Sequence, residues 1–326
     1  MGNLSTKATL KIMGHSILLT AMLGIFSGTA LAKNAAKHES VTGSCSKTTS
    51  AAYSACGYEA GDDYWITVGN CTNIGDPVAS KACKQEAKTT YRAEKQLCQT
   101  YRDGREDVCD AVGEDAYDPE IDPTMFVNPD QIGQSIAPNP YFLLIPGRTL
   151  VYQIENEEIR VEVTNKTRVI EGVTCREVHD VVRVDGVIIE DTLDWYAQDI
   201  DGNVWYFGEI SMSYEDGVLV NIDGSWTAGV DMAKPGYAMK AAPVIGESYR
   251  QEFALNNAED GAEVISLTGV ANVPAANCTQ CLVTRDFSPI IPSLLEHKYY
   301  AAGVGYILEI KPNTGERLEL VEIIQN

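Results

Sequence analysis

Six cysteines, Cys45, Cys56, Cys71, Cys83, Cys98 and Cys109, are separated by 10, 14, 11, 14 and 10 residues. The series reads the same from either end. A nested pairing, Cys45–Cys109, Cys56–Cys98 and Cys71–Cys83, therefore gives equal spacing along two arms. Two antiparallel helices would bring such pairs face to face. Cys98 and Cys109 lie 11 positions apart, close to a whole number of α-helical turns, so they share one side of a helix. The second arm, residues 80–112, is rich in Ala, Lys, Glu, Gln and Arg, contains no Pro, and is predicted helical, with Gly104 its weak point. The first arm is predicted shorter, with Gly57 and Gly61 as stop signals. Six cysteines leave fifteen connectivities open, and the nested set is the one the symmetry favours. No CxxC pair and no His lies among the six, which favours disulfides over a metal.

Disulfides imply export, and the N-terminus agrees. Lys7 and Lys11 precede the apolar run Ile17 to Phe26, and Ala30-Leu31-Ala32 is a small-residue cleavage site. Residues 1–32 are predicted to be a secretory signal peptide. The run is too short to span a bilayer comfortably, so no stable membrane insertion is expected after cleavage, and the destination is periplasmic or extracellular. The chain carries a formal net charge of −21. Without Lys7 and Lys11 it holds 23 basic and 46 acidic residues, a net −23. That field repels phosphate backbones and disfavours nucleic acid as a partner.

The predicted layout is a Cys-rich helical hairpin over 33–112, an acidic Pro-rich linker over 113–140 and an antiparallel β domain over 141–326. Pro119, Pro123, Pro129 and Pro138 keep the linker extended. Asp115, Asp118, Glu120 and Asp122 are hard oxygen donors on irregular backbone, the kind of ligand Ca²⁺ takes. Their spacing matches no EF-hand, and a solvated linker packed along the sheet edge is the plainer reading.

From Tyr141 onward, runs rich in Val, Ile, Tyr and Trp alternate with the tips VDG (184–186), DIDGN (199–203), EDG (215–217) and IDG (222–224). Asp-Gly suits turns that need positive φ. The predicted fold is mainly β: one large curled antiparallel sheet, a half-barrel or open barrel, with the disulfide-braced α-helical hairpin at its N-terminal side. The Gly- and Pro-bearing loop 224–246 interrupts the hairpins and is predicted to be a lid. Trp195-Tyr196 and Trp205-Tyr206 oppose each other across the DIDGN hairpin, and Tyr299-Tyr300 adds a third aromatic pair. Strand neighbours point to opposite faces. One member of each pair is thus core, and the other is a candidate platform for a sugar or apolar ligand. Of the remaining cysteines, Cys175 is predicted to pair with Cys281 or Cys278. His179 and His297 each adjoin an acid, Asp180 and Glu296, and would serve a metal or proton transfer only if folding united them. No hydrolase, zincin, P-loop or dinucleotide motif is present.

The segments DPEIDPTMFVNP (118–129), NPYFLLIPGRTLVYQ (139–153), DTLDWYAQDIDGNVWYFGE (191–209) and EHKYYAAGVGYILE (296–309) resemble a family of secreted, β-rich bacterial proteins. The likeness spans roughly Asp118 to Glu322, and Cys278 and Cys281 depart from it. It implies a β-rich secreted domain and supplies no catalytic residues. The curled topology is similar to lipoprotein-carrier half-barrels, by analogy of fold alone.

The functional expectation is a non-enzymatic binding protein holding a small apolar or glycan ligand on the concave face, at Trp195, Tyr196, Trp205, Tyr206, Tyr299 and Tyr300. It needs no cofactor unless Ca²⁺ binds the linker. The alternatives are a calcium-binding cell-surface interaction module and a metal-dependent hydrolase using His179 and His297. No protein partner is identified by the sequence.

Overall fold

The computed structural model describes residues 43–325; the signal-peptide segment lies outside them. Two helices come first, α1 (Ser44–Thr72) and α2 (Pro77–Val112). Asp76 caps α2 by accepting from Ala79 N at 2.8 Å, and Pro77 occupies the first helical position, where its missing N–H costs nothing. The disulfides are the nested set, Cys45–Cys109, Cys56–Cys98 and Cys71–Cys83, with Cα separations of 5.7, 5.7 and 5.5 Å. Gly57 and Gly61 do not stop α1; it runs on to Thr72. The Cys71–Cys83 bridge clamps its far end, and this constraint outweighs the weak helix propensity of two glycines. Gly104 is a contact, not a flaw: a Cβ there would stand 2.9 Å from Pro289 O of the sheet.

Two short 3₁₀ turns, Pro123–Met125 and Pro129–Gln131, interrupt the joint that follows. Fifteen strands complete the chain: β1 (Arg148–Ile154), β2 (Glu157–Ile170), β3 (Val173–Val184), β4 (Val187–Gln198), β5 (Val204–Glu215), β6 (Val218–Asn221), β7 (Trp226–Thr227), β8 (Lys234–Met239), β9 (Ser248–Arg250), β10 (Glu252–Phe253), β11 (Gly261–Val273), β12 (Ala276–Ser288), β13 (Ile291–Ala301), β14 (Gly305–Ile310) and β15 (Arg317–Gln325). They form one open antiparallel sheet in the order β10-β8-β5-β4-β3-β2-β1-β15-β14-β13-β12-β11-β9, with β6 and β7 also on β5. Asp185-Gly186 and Asp216-Gly217 adopt positive φ at both turn positions, as the tight hairpins require.

The two ends of this sheet belong to one short segment. β9 pairs with β11 at one edge and β10 pairs with β8 at the other, and only Gln251 separates them. The sheet thus curls until its edges meet without a shared ladder, which protects both from pairing with another chain. Gly236 makes the approach possible: a Cβ at that position would stand 2.5 Å from Arg250 O. The 224–246 stretch is not a lid. It contributes β7 and β8, which extend the sheet beyond β5, because Trp226 and the KPGYAM run find backbone partners there.

The joint packs on the outer side of β4 and β5. Phe126 meets Trp205 and Phe207 edge-on, with ring centroids 6.2 and 5.5 Å apart. Val127 N donates to Gln198 O at 3.0 Å, and Ile200 N to Met125 O at 2.9 Å. The helical hairpin docks through a buried ion pair: Arg105 Nη2 donates to Glu259 Oε1 at 2.5 Å and Nε donates to Oε2 at 2.9 Å.

Candidate functional site

Alternation along the strands sends one set of side chains into the curl. Leu150 and Tyr152 of β1, Ile159, Val161 and Val163 of β2, Val178 and Asp180 of β3, and Asp194 and Tyr196 of β4 form one wall. Lys298 and Tyr300 of β13, Tyr306 and Glu309 of β14 and Leu318 of β15 form the other. They enclose a cavity of about 190 Å³. A dry apolar cavity of ~150 Å³ admits benzene, so this one has room for a ring or a short chain.

One end of the cavity is covered by Tyr141–Leu143 together with Arg148, Val304 and Gly305. Asn139 fastens this strap. Its Nδ2 donates to Gly202 O at 2.8 Å, and its Oδ1 accepts from Tyr141 N at 2.9 Å and Phe142 N at 3.1 Å. Gly303 N donates to Pro140 O at 2.8 Å, tying the strap to the β13–β14 turn. Phe142 then lies 4.9 Å from the Tyr196 ring.

The six aromatics divide as strand alternation dictates. Tyr196 and Tyr300 line the cavity. Tyr206 stacks on Tyr196 at 4.6 Å with rings 17° apart, and its hydroxyl donates to Asp194 Oδ1 at 2.5 Å. Tyr206 therefore supports the wall without lining the space. Trp195, Trp205 and Tyr299 do not line it. Trp205 packs under the joint and against Tyr237 at 4.1 Å, while its Nε1 donates to Asp199 Oδ2 at 2.9 Å. The Arg168 guanidinium covers Trp195 at 4.3 Å. Tyr299 packs on a second apolar cluster around Val283 and Leu308. The tryptophan platform is thus absorbed into packing.

Asp199 accepts from Asp201 N, Asn203 N, Asn203 Nδ2 and Trp205 Nε1, so the DIDGN tip is a hydrogen-bonded hairpin. The four joint acids are not gathered. Asp118 Oδ1 meets Lys234 Nζ at 2.6 Å, and Asp122 caps a 3₁₀ turn through Thr124, while Asp115 and Glu120 are exposed. Among the described residues no group of three or more His, Cys, Asp or Glu is placed to hold a metal ion. His179 and His297 stand on β3 and β13, separated by β2, β1, β15 and β14 in the sheet order. Each alternates with an inward neighbour, Asp180 or Lys298, so both point outward. His179 Nε2 instead lies 2.8 Å from Asp191 Oδ1. Cys278 pairs with Cys281, and Cys175 is a buried free thiol. The expected Cys175–Cys281 bridge fails because β3 and β12 are not neighbours; burial pushes the Cys175 thiol pKa up.

The ionisable groups inside the curl carry no local sequence signal. Glu296, Lys298 and Tyr300 share one face of β13 by period two. Lys298 sits opposite Glu309 across the β13–β14 pair, and Asp286 opposite Glu296 across the β12–β13 pair. Lys298 Nζ is 3.1 Å from Asp286 Oδ2 and 3.5 Å from Glu296 Oε2. Burial works to discharge this ammonium, but Asp286, Glu296 and Glu309 together raise its pKa well above the usual value. Glu309 accepts from Tyr306 Oη at 2.9 Å. Its own carboxyl is pushed up to about 8, first by burial and then by Glu296. Glu209 is likewise raised well above the usual range by burial, then by Glu252 and Asp194.

These shifts predict an acid-favoured fold. A carboxyl whose pKa is raised on folding binds a proton that the unfolded chain has released. Its stabilisation is complete below about 4.5 and is lost as pH rises through the folded value. Glu309 contributes a slope on the order of 1 kcal/mol per pH unit within that window. Glu209 acts in the same sense. His297, lowered by burial and then by Arg285, acts in the opposite sense below 6.5, but it is half-exposed and weaker. The melting temperature should be higher at pH 5 than at pH 8 by on the order of 10 °C. A scan that is flat or rises between those values contradicts the buried, proton-bound carboxyls.

Among the described residues no helix is long and apolar enough to cross a membrane. No family model matches the chain, no curated protein is significantly similar to it, and no solved structure matches its fold.

Proposed function

We propose that the chain is an exported, non-enzymatic binding protein that holds one small, mainly apolar ligand inside the curled sheet. The observation that carries this reading is the cavity of about 190 Å³ walled by Leu150, Ile159, Val161, Val163, Val178 and Leu318. A space of this size among otherwise close-packed side chains costs stability unless something occupies it. The few polar groups at its wall give a ligand orientation, the usual division of labour in a binding pocket. A glycan fits less well, since the two tryptophans of the aromatic hairpin are committed to packing outside the cavity. Export is supported by the helix-bracing disulfides and by the signal-like N-terminus. Kinship with secreted β-rich bacterial proteins belongs to the same reading.

Hexan-1-ol tests it by thermal shift. A ligand that binds only the folded state at a hundred times its dissociation constant stabilises by about 2.7 kcal/mol. The wild-type protein should melt several degrees higher with the alcohol. The variant Val178→Phe, which fills the cavity from its wall, should fold and lose that shift. Equal shifts in both proteins, or none in either, contradict the proposal.

A further inference from the structure

Five charged side chains border the cavity: Arg148, Asp180, Asp194, Lys298 and Glu309. Four of them are accounted for within the protein. Lys298 lies between Asp286 and Glu296. Asp194 accepts from the Tyr206 hydroxyl, and Glu309 from the Tyr306 hydroxyl. Asp180 acts on the neighbouring Tyr152 hydroxyl. Arg148 differs. Its Nη2 donates to the Val304 carbonyl at 2.6 Å, an uncharged backbone acceptor. A guanidinium carries five N–H donors. Among the described residues, Arg148 is the one guanidinium on the cavity wall, and it is half-buried there.

Arg148, Leu150 and Tyr152 share the inward face of β1, so the guanidinium stands at the strap end while the apolar wall runs inward from it. We propose, resting on the reading that this cavity binds a ligand, that the ligand is a short-chain or single-ring carboxylate whose head is taken by Arg148. The planar fork of the guanidinium matches a carboxylate with two parallel hydrogen bonds. The apolar tail lies between Leu150, Val161 and Val178. Desolvation of Arg148 already lowers its pKa, and a bound anion relieves that penalty.

The test is calorimetric titration of the intact protein at pH 7 with three probes of equal chain length: hexanoate, hexan-1-ol and hexylamine. Hexanoate should bind most tightly. Arg148→Gln should weaken hexanoate by about ten-fold or more, the range of a lost charge-assisted hydrogen bond. It should leave hexan-1-ol unchanged, and Arg148→Lys should restore part of the loss. If hexylamine binds best, the wall acids set the ligand class and this proposal falls while the binding reading stands. If Arg148→Gln weakens hexan-1-ol equally, the arginine only shapes the cavity, and the assignment is again wrong. If none of the three binds, the binding reading itself fails.

Discussion

Arg105→Ala should cost the protein about 3–5 kcal/mol, because it strands a buried carboxylate rather than merely removing a contact. Arg105 is 4% exposed and Glu259 2% exposed. The guanidinium donates to both Glu259 oxygens and to Asn256 Oδ1 at 2.8 Å, while Asn256 N donates back to Glu259 Oε1 at 2.7 Å. This knot joins α2 to the β10–β11 connection, beside the meeting point of the sheet's edges. Its loss should loosen the hairpin from the sheet as well as lower overall stability. Urea denaturation measures the cost. The double variant Arg105→Met, Glu259→Leu should recover most of it, since replacing both partners leaves no uncompensated charge. A single-variant loss below about 1 kcal/mol, the level of an exposed pair, would contradict the burial of this pair.

The second large effect concerns the cystines. α1 has 29 residues, and the buried ones are Cys45, Thr49, Ala52, Ala60 and Cys71. Small side chains bury little area, so apolar packing alone supplies α1 with modest stabilisation. Restricting the unfolded chain must supply the rest. On the loop-closure model the Cys45–Cys109 bridge, with a sequence separation of 64, contributes about 4 kcal/mol. The Cys71–Cys83 bridge, with a separation of 12, contributes about 3 kcal/mol. Nested bridges share one unfolded segment, so the contributions do not add fully. Replacing all six cysteines by Ser should unfold the hairpin and remove most of the helical circular dichroism, with the sheet signal retained. Full helical signal in that variant would mean that packing, not cross-linking, holds the two arms.

The parts of the fold that were legible in the sequence rest on local, periodic or symmetric signals. The cystine nesting follows from equal arm lengths, and the hairpins follow from Asp-Gly pairs whose φ values have few alternatives. β8 was hidden because Pro235 and Gly236 read as loop residues. Their place next to β10 depends on the curl, which brings in a backbone distant along the sheet. The aromatic pairs were correctly divided between two faces, but local sequence does not say which face is hollow. That depends on the joint covering Trp205 and on the strap covering one end of the cavity. Cys175 was mispaired for a similar reason: strand adjacency is global information. The Lys298 group was invisible because its acids come from β12, β13 and β14, and only register brings them together.

Xenon pressure on crystals of the protein measures the hollow interior most directly, since xenon enters dry apolar cavities and little else. The account predicts a xenon peak among Leu150, Val161 and Val178, with the surrounding side chains unmoved. Side chains packed across that space, or water in place of xenon throughout it, would contradict a curled sheet built to hold an apolar guest.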